Sequence, residues 1–347
     1  MHFVPIEKLE PGMITVKRIY DENGVLMLNS NKVLTNYNIS QIKKLGYQGL
    51  YIYDELSQLD SMREIIDEDI RRQTIKSLKV FNLDAVTFCA NAIVNSLQEQ
   101  KHICVELQEL SNFHDYTYQH CINVAILSAT IGIGFGFNNE QLNNLTTAAL
   151  LHDIGKLDIP TEILDKPSKL TEEEYNLIKQ HSDFGYNKIK DNYNISSTIK
   201  VAVKEHHENQ DGSGYPMHLK GDNIHIFAKI IHVADVYDAL TSKRSYKKAY
   251  KPSEAIEYLM ANVGNMFDIN VVITFLKYIA VYPVGTKVVL STGQEAQVIK
   301  QNISMPLRPV VAIDKNTIID LLHDIDSLSI VIKDSNLEQE YENIFRI

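Results

Sequence analysis

The chain carries a spaced series of residues able to ligate metal: His120, the adjacent pair His152-Asp153, His181, the pair His206-His207, and Asp235. The second pair opens a glycine-rich run, His206-His207-Glu208-Asn209-Gln210-Asp211-Gly212-Ser213-Gly214-Tyr215-Pro216. Five imidazoles and two carboxylates suffice for two first-row transition-metal ions if one carboxylate bridges them. One helical histidine alone would be read as a hydrogen-bonded core residue. Two adjacent doublets plus spaced His and Asp, all in apolar helix-forming text, are another matter. Buried imidazoles and carboxylates are costly unless they are paired or bind a cation. The pattern therefore reads as a two-metal hydrolase. His114, His218, His225, His232 and His323 lack that context and are read as ordinary.

Each member of the series falls where a helix would turn it inward. His120 shares a face with Val124, Leu127 and Ile131. His152 follows Leu145, Ala148 and Ala149, and Asp153 ends that helix before Gly155. His206 follows Ala202 and Val203, and Asp235 sits in Ile230-Ile231-His232-Val233-Ala234. The helices expected to carry them run from about 117 to 131, 139 to 152, 198 to 207 and 228 to 241, with others opening at Thr171 and Pro252.

The motifs His152-Asp153-Ile154-Gly155-Lys156 and His206-His207-Glu208 through Gly214-Tyr215-Pro216 resemble the two signatures of the HD-GYP domain. The likeness extends through Ile159-Pro160, Lys166-Pro167, Lys169-Leu170-Thr171 and Ala234-Asp235-Val236-Tyr237-Asp238-Ala239-Leu240-Thr241, about half the chain. The resemblance implies an all-helical, HD-type bundle with cyclic di-GMP phosphodiesterase activity, giving linear pGpG and then GMP. It puts one metal on His120, His152, Asp153 and Asp235, and a second on His181, His206 and His207, with Asp153 bridging. It favours iron, with manganese second. Some relatives hold a third metal through a Glu four residues before the first His; Tyr116 stands there, so two metals are expected. Ser245 in Arg244-Ser245-Tyr246 replaces the family's usual Pro.

The chemistry fits a phosphodiester, which is anionic and has a poor alkoxide leaving group. Two metals about 3.5–4 Å apart lower the pKa of a bridging water and hold the non-bridging oxygens. Attack is then by a metal-bridging hydroxide, and no Ser or Cys nucleophile is needed. Lys156, one turn from Asp153, is expected to meet a phosphate oxygen or the leaving group. Arg244 and Lys247 match family positions that contact phosphate. Either Tyr215 meets a guanine or the Gly-Tyr-Pro loop faces a protein partner; the resemblance implies docking of diguanylate cyclase (GGDEF) domains through this loop. Two other readings stay open: hydrolysis of another cyclic dinucleotide such as 3′,3′-cyclic GMP-AMP, and a weakly active sensor or protein-interaction module.

The surrounding elements make the chain multidomain. Residues 1–57 read as a small N-terminal α+β domain: strands at 13–19, 25–28 and 50–53 and a helix at 36–45 closed by Gly46. Residues 58–104 form a charged helical connector, a homodimer element, or helices packed on the next domain. Residues 105–280 are the catalytic bundle. Residues 281–347 form a C-terminal β-rich appendix, with strands at 287–290, 296–299, 310–313 and 329–332.

The 347 residues carry a net charge of −10 and are 44% hydrophobic. This balance argues against a nucleic-acid polymer as partner, which needs a basic face, but not against a small phosphate ligand. The three cysteines, Cys89, Cys104 and Cys121, suit neither a disulfide framework nor a zinc knuckle and point to a reducing cytoplasm. No run of roughly 18 apolar residues predicts a membrane span.

Overall fold

The computed structural model describes residues 2–21, 25–47, 49–53, 66–100, 105, 116–166, 168–242, 250–282, 284–302 and 305–335. It falls into two compact units, one drawn from the two ends of the chain (up to 64 and from 279) and one from the stretch between.

At the N-terminal end, β1 (His2–Pro5) pairs antiparallel with β4 (Gly49–Ile52), and β2 (Ile19–Tyr20) with β3 (Leu26–Leu28). Helix α1 (Asn36–Lys44) starts at a capping box in which Thr35 and Asn38 satisfy each other's backbone N–H, and stops before Gly46 at φ +80°. Val4, Ile19, Leu34, Ile42 and Ile52 form the core of these elements. The expected strand at 13–19 is a difference: between residue 13 and the start of β2 only the isolated bridges Ile14↔Val33 and Thr15↔Ile52 form. The Thr15 hydroxyl donates to backbone carbonyls of Asn29 and Lys32 and accepts from Lys32 N. Such side-chain bonds compete with a continuous ladder.

The helical unit contains α2 (Glu68–Lys79), α3 (Leu83–Gln98), α4 (Tyr116–Gly134), α5 (Asn139–Leu151), α6 (Thr161–Leu164), α7 (Glu172–Lys179), α8 (His181–Ile189), α9 (Ser197–Glu205), α10 (Ile226–Thr241), α11 (Pro252–Ala261) and α12 (Ile269–Leu276). Helix α4 lies between α5 and α10, and α9 packs on α5, α8 and α10. Residues Ile122 through Ile131 are buried on every face of α4, as befits a central helix. Helices α2 and α3 pack on α4 and α5, with Val86, Ala90, Ile93 and Leu97 buried, so these two helices belong to the bundle's core. No helix among the described residues is long and apolar enough to cross a membrane.

At the C-terminal end, β5 (Lys287–Leu290), β6 (Glu295–Lys300), β7 (Val310–Ala312), β8 (Ile318–Asp320) and β9 (Ile332–Ser335) form an antiparallel sheet in the order β8-β7-β6-β5-β9. Strand β8 was not expected, and the last strand starts at Ile332 rather than 329. A 3₁₀ turn at Ile325–Ser327 continues through the Ile330 N–H bond to Ser327 O, which spends the backbone up to that point.

One close approach in the bundle positions the chemistry. A 3₁₀ turn, Ile154–Asp158, follows α5 and lies directly against α8. A Cβ on Gly155 would overlap the His181 carbonyl oxygen and the Gly185 backbone nitrogen. Only glycine lets the turn carrying Asp153 come this near to His181. Gly155→Ala should therefore destabilise the protein by about 1–3 kcal/mol, the scale of an overpacked core. Metal content should fall with it. A variant with wild-type melting temperature and metal content would show that the backbones can move apart.

Candidate metal centre

Three helices end at one place, and each ends in a histidine of the series. His152 follows α5, His181 follows α7 and opens α8, and His206 follows α9. In each ring Nδ1 lies 2.7–2.8 Å from the carbonyl oxygen three residues earlier, on Ala149, Ile178 and Val203. Those carbonyls are in the last turns of their helices, where the regular i+4 N–H is missing. A carbonyl only accepts, so each Nδ1 carries the proton and each Nε2 keeps its lone pair.

The remaining members come from α4 and α10. His120 Nε2 lies 3.0 Å from Asp235 Oδ1, and its Nδ1 2.6 Å from Asp238 Oδ2. Asp238, fully buried, also accepts from Asn123 Nδ2 at 2.9 Å. His120, His152 and Asp235 make one triad of donor atoms, and His181, His206 and His207 another; the atoms of each lie within 4.8 Å of one another. Asp153 stands between the triads. Its Oδ2 is 3.4 Å from His152 Nε2 and 3.8 Å from His120 Nε2, and its Oδ1 is 3.4 Å from His181 Nε2. The structure thus brings all seven residues of the series together.

Their donor chemistry fits metal. The Nε2 atoms of His181 and His206 are 3.1 Å apart, although the Nδ1 bonds leave both with lone pairs. Two lone pairs face to face repel unless a cation lies beside them. Buried His152 Nε2 and Asp153 Oδ1 have no hydrogen-bond partner either. Three helix C-termini add partial negative charge that favours a cation.

The charges are strongly coupled. Burial alone would lower His120, but the hydrogen bonds and charges of Asp235 and Asp238 outweigh it and, with no cation present, hold it at about 10. Burial would raise Asp153, but Lys156 and the neighbouring imidazoles keep it well below the usual carboxylate range. His206 is pushed well down by burial and by His207, and His207 by burial and by His181. They stay neutral, the form that binds metal.

Lys156 donates from Nζ to Asp153 Oδ2 at 2.6 Å, and that carboxylate keeps it charged against the cost of burial. Tyr215 stacks on His207, with ring centroids 4.8 Å apart and planes 29° apart. Its loop is held close: Tyr215 N donates to His207 O, and a Cβ on Gly214 would overlap backbone atoms of His207, Glu208 and Asn209. The Glu208 carboxylate accepts from Met217 N and Leu219 N. Arg244, Lys247 and Ser245 lie outside the described residues, and Tyr116 opens α4.

Sequence reasoning missed several supporting residues. Asp238 is one turn beyond Asp235 on α10, and Asn123 one turn beyond His120 on α4; the i,i+3 spacing was the available signal. His232, read as ordinary, is buried and lies 3.1 Å from Asn209 Oδ1 through Nε2, while Asn209 donates to Ser213 in the glycine-rich run. Nothing in the sequence pointed to that pairing.

The HD domain family model matches residues 95–271, just over half the chain, and the chain belongs to that family. Its His152-Asp153 and Gly214-Tyr215-Pro216 signatures are those of the HD-GYP branch. An HD domain with these His and Asp groups is a divalent-metal site. The chain is 35% identical over 218 residues to a cyclic di-GMP phosphodiesterase of Pseudomonas aeruginosa, covering 63% of this chain and 52% of that protein. It is 34% identical to a cyclic di-GMP phosphodiesterase of Borreliella burgdorferi (58% of this chain, 55% of that one). A 3′3′-cGAMP-specific phosphodiesterase of Vibrio cholerae is 30% identical over 65% of this chain and 41% of its own length. The chain thus spans about half the length of these relatives.

The Asp238 contact has a measurable consequence. A carboxylate on the far nitrogen of a ligating histidine fixes its ring and raises its basicity. Asp238→Asn should weaken metal binding by ~10–100-fold, the usual effect of removing such a partner. Competition against a chelator measures it; unchanged affinity would make Asp238 a packing residue only.

Proposed function

We propose that this chain is a metal-dependent phosphodiesterase that hydrolyses cyclic di-GMP to linear pGpG, and onward to GMP. The observation that carries this reading is Asp153, which lies between two separate triads of ligand atoms. One carboxylate shared by two ligand sets is the arrangement of a two-ion hydrolase. The names and identities of the relatives support the substrate class.

On this reading His120, His152, Asp153 and Asp235 hold one ion and His181, His206 and His207 the other, Asp153 serving both. Iron suits a set this rich in imidazole, with manganese second. When bound, such ions supply Lewis acidity toward water and the phosphate oxygens. The rest is done by the chain. The helix-end carbonyls hold the imidazoles in one tautomer. Lys156, charged and half-buried, faces the phosphate and steadies the negative charge that grows on the departing 3′ oxygen as the P–O bond breaks. Tyr215, stacked on His207, offers an aromatic surface to a base. Arg244 and Lys247 are assigned to phosphate.

The second reading, 3′,3′-cyclic GMP-AMP as substrate, is favoured by the Vibrio cholerae relative. Side-by-side turnover of both dinucleotides decides between them. We further infer that the N-terminal elements, which have a core of their own, form a small α+β domain. The free, buried Cys89 and Cys121 support a cytoplasmic protein. Partners would be GGDEF domains at the Gly-Tyr-Pro loop, where Met217 is exposed, and a second copy along α3, where Phe88 is exposed.

Elemental analysis of anaerobically purified protein should find two ions per chain; a count of one or three at full occupancy would refute the ligand assignment. Asp153→Ala should abolish turnover and loosen both ions, and retention of both would remove its shared role. Lys156→Ala should lower kcat for cyclic di-GMP by ~10²–10⁴-fold with both ions kept, the scale of a positioned charge or acid. Near-normal kcat with intact metal would return Lys156 to the surface.

A further inference from the structure

The side chains at the mouth of the metal centre continue outward from His207. Tyr215 covers one face of that imidazole. Beyond it Lys179, the last residue of α7, places Nζ 5.7 Å from the Tyr215 ring centroid and 4.5 Å from that of Tyr175. Tyr175 lies one helical turn before Lys179 and is 49% exposed. Lys179 is only half-buried, and among the described residues no carboxylate pairs with it. A cation bracketed by two aromatic rings and left without a counter-ion is open to an incoming acceptor. Its neighbour Lys166, by contrast, is taken up by Glu174 at 2.6 Å.

We propose that Tyr175, Lys179 and Tyr215 form a purine subsite in which Lys179 selects guanine over adenine. The inference rests on the phosphodiesterase reading above and deepens it by naming the base. A tyrosine ring stacks on any base, so Tyr175 and Tyr215 supply affinity without choice. Choice comes from the edge. Guanine presents two acceptors side by side, O6 and N7; adenine replaces O6 with an N6 amino donor. An ammonium, which only donates, bonds the first edge and meets a donor on the second. The stacking of Tyr215 on His207 keeps this subsite next to the metal triad.

The test uses mononucleotides, which the enzyme does not consume, so that base selection is read apart from turnover. Dissociation constants for GMP and AMP are measured with the metal-loaded full chain, its Lys179→Gln and Lys179→Arg variants, and Tyr175→Leu. Wild type should bind GMP about tenfold more tightly than AMP, the discrimination expected of a cation on the O6/N7 edge. Lys179→Gln should bring the ratio toward one, Lys179→Arg should keep it, and Tyr175→Leu should weaken both nucleotides alike. Metal content and melting temperature establish that each variant is folded. A wild type without preference overturns the subsite, as does a Lys179→Gln variant that keeps the preference. Equal loss of both nucleotides in Lys179→Gln overturns it too, because the lysine then meets phosphate. Failure of the metal-loaded wild type to cleave any cyclic dinucleotide would refute the phosphodiesterase reading, while a GMP preference lost in Lys179→Gln would still support the subsite.

Discussion

Everything in the helical unit depends on one exchange: unsatisfied helix ends are used to fix imidazoles. Carbonyls in the last turns of α5, α7 and α9 lack the regular i+4 N–H, and one in each accepts from the Nδ1 of a histidine three residues on. The bond settles two matters together. It closes the helix, and it turns Nε2, with its lone pair, toward a common point. The same helix ends direct partial negative charge there. A site made in this way has no tautomer to choose and little rotamer freedom to lose when a cation arrives. The cost is electrostatic: neutral rings and buried carboxylates crowd together, and the lone pairs of His181 and His206 oppose each other at 3.1 Å.

His120 is built on the opposite principle. It sits inside α4, not at a helix end, and the backbone around it is fully bonded. Its Nδ1 therefore needs a side chain, and Asp238 from α10 provides one, itself held by Asn123. The anionic partners Asp235 and Asp238 raise His120 against its burial, while burial lowers His181 and His206, whose Nδ1 partners are neutral carbonyls. The two triads thus differ in their support: in the first a carboxylate backs His120 and a helix carbonyl backs His152, while in the second helix carbonyls back His181 and His206. On the proposed ligand assignment, the first ion meets more negative charge than the second.

This division explains what could be read from the sequence. The metal-ligating residues were legible because chemistry fixes their types, and His and Asp in apolar helical text have few other uses. The helices were legible where caps and periodicity were strong, as at Thr171 and Asn139. Helix α8 was missed because it follows α7 with only Gln180 between, so no cap or turn residue marks the break. Asp238 and Asn123 were passed over because a buried polar residue beside a ligand looks like any other member of its helix until the facing helix is known. The Gly155–Gly185 approach and the His232–Asn209 contact are relations between segments far apart in the chain, and local pattern carries no trace of them. At the C-terminal end the last strand was set three residues early, since apolar alternation does not reveal that a 3₁₀ turn has already used the backbone there.

Charge balance links the site to its proposed substrate. Asp153 and Asp235 are buried carboxylates of the seven-residue set, Asp238 is buried against His120, Glu205 and Glu208 are buried beside His206 and His207, and the half-buried Lys156 pairs with Asp153. A cyclic dinucleotide carries two phosphodiester charges, and in a region of low dielectric each needs a cation nearby. The second phosphate cannot lie on the same two ions as the first, since the macrocycle separates them. It must find its own cation, and the residues proposed for it, Arg244 and Lys247, follow in the sequence shortly after α10, the helix that supplies Asp235. A site that hydrolyses one bond at its centre and holds a second charge at its edge would thus recognise the ring before opening it.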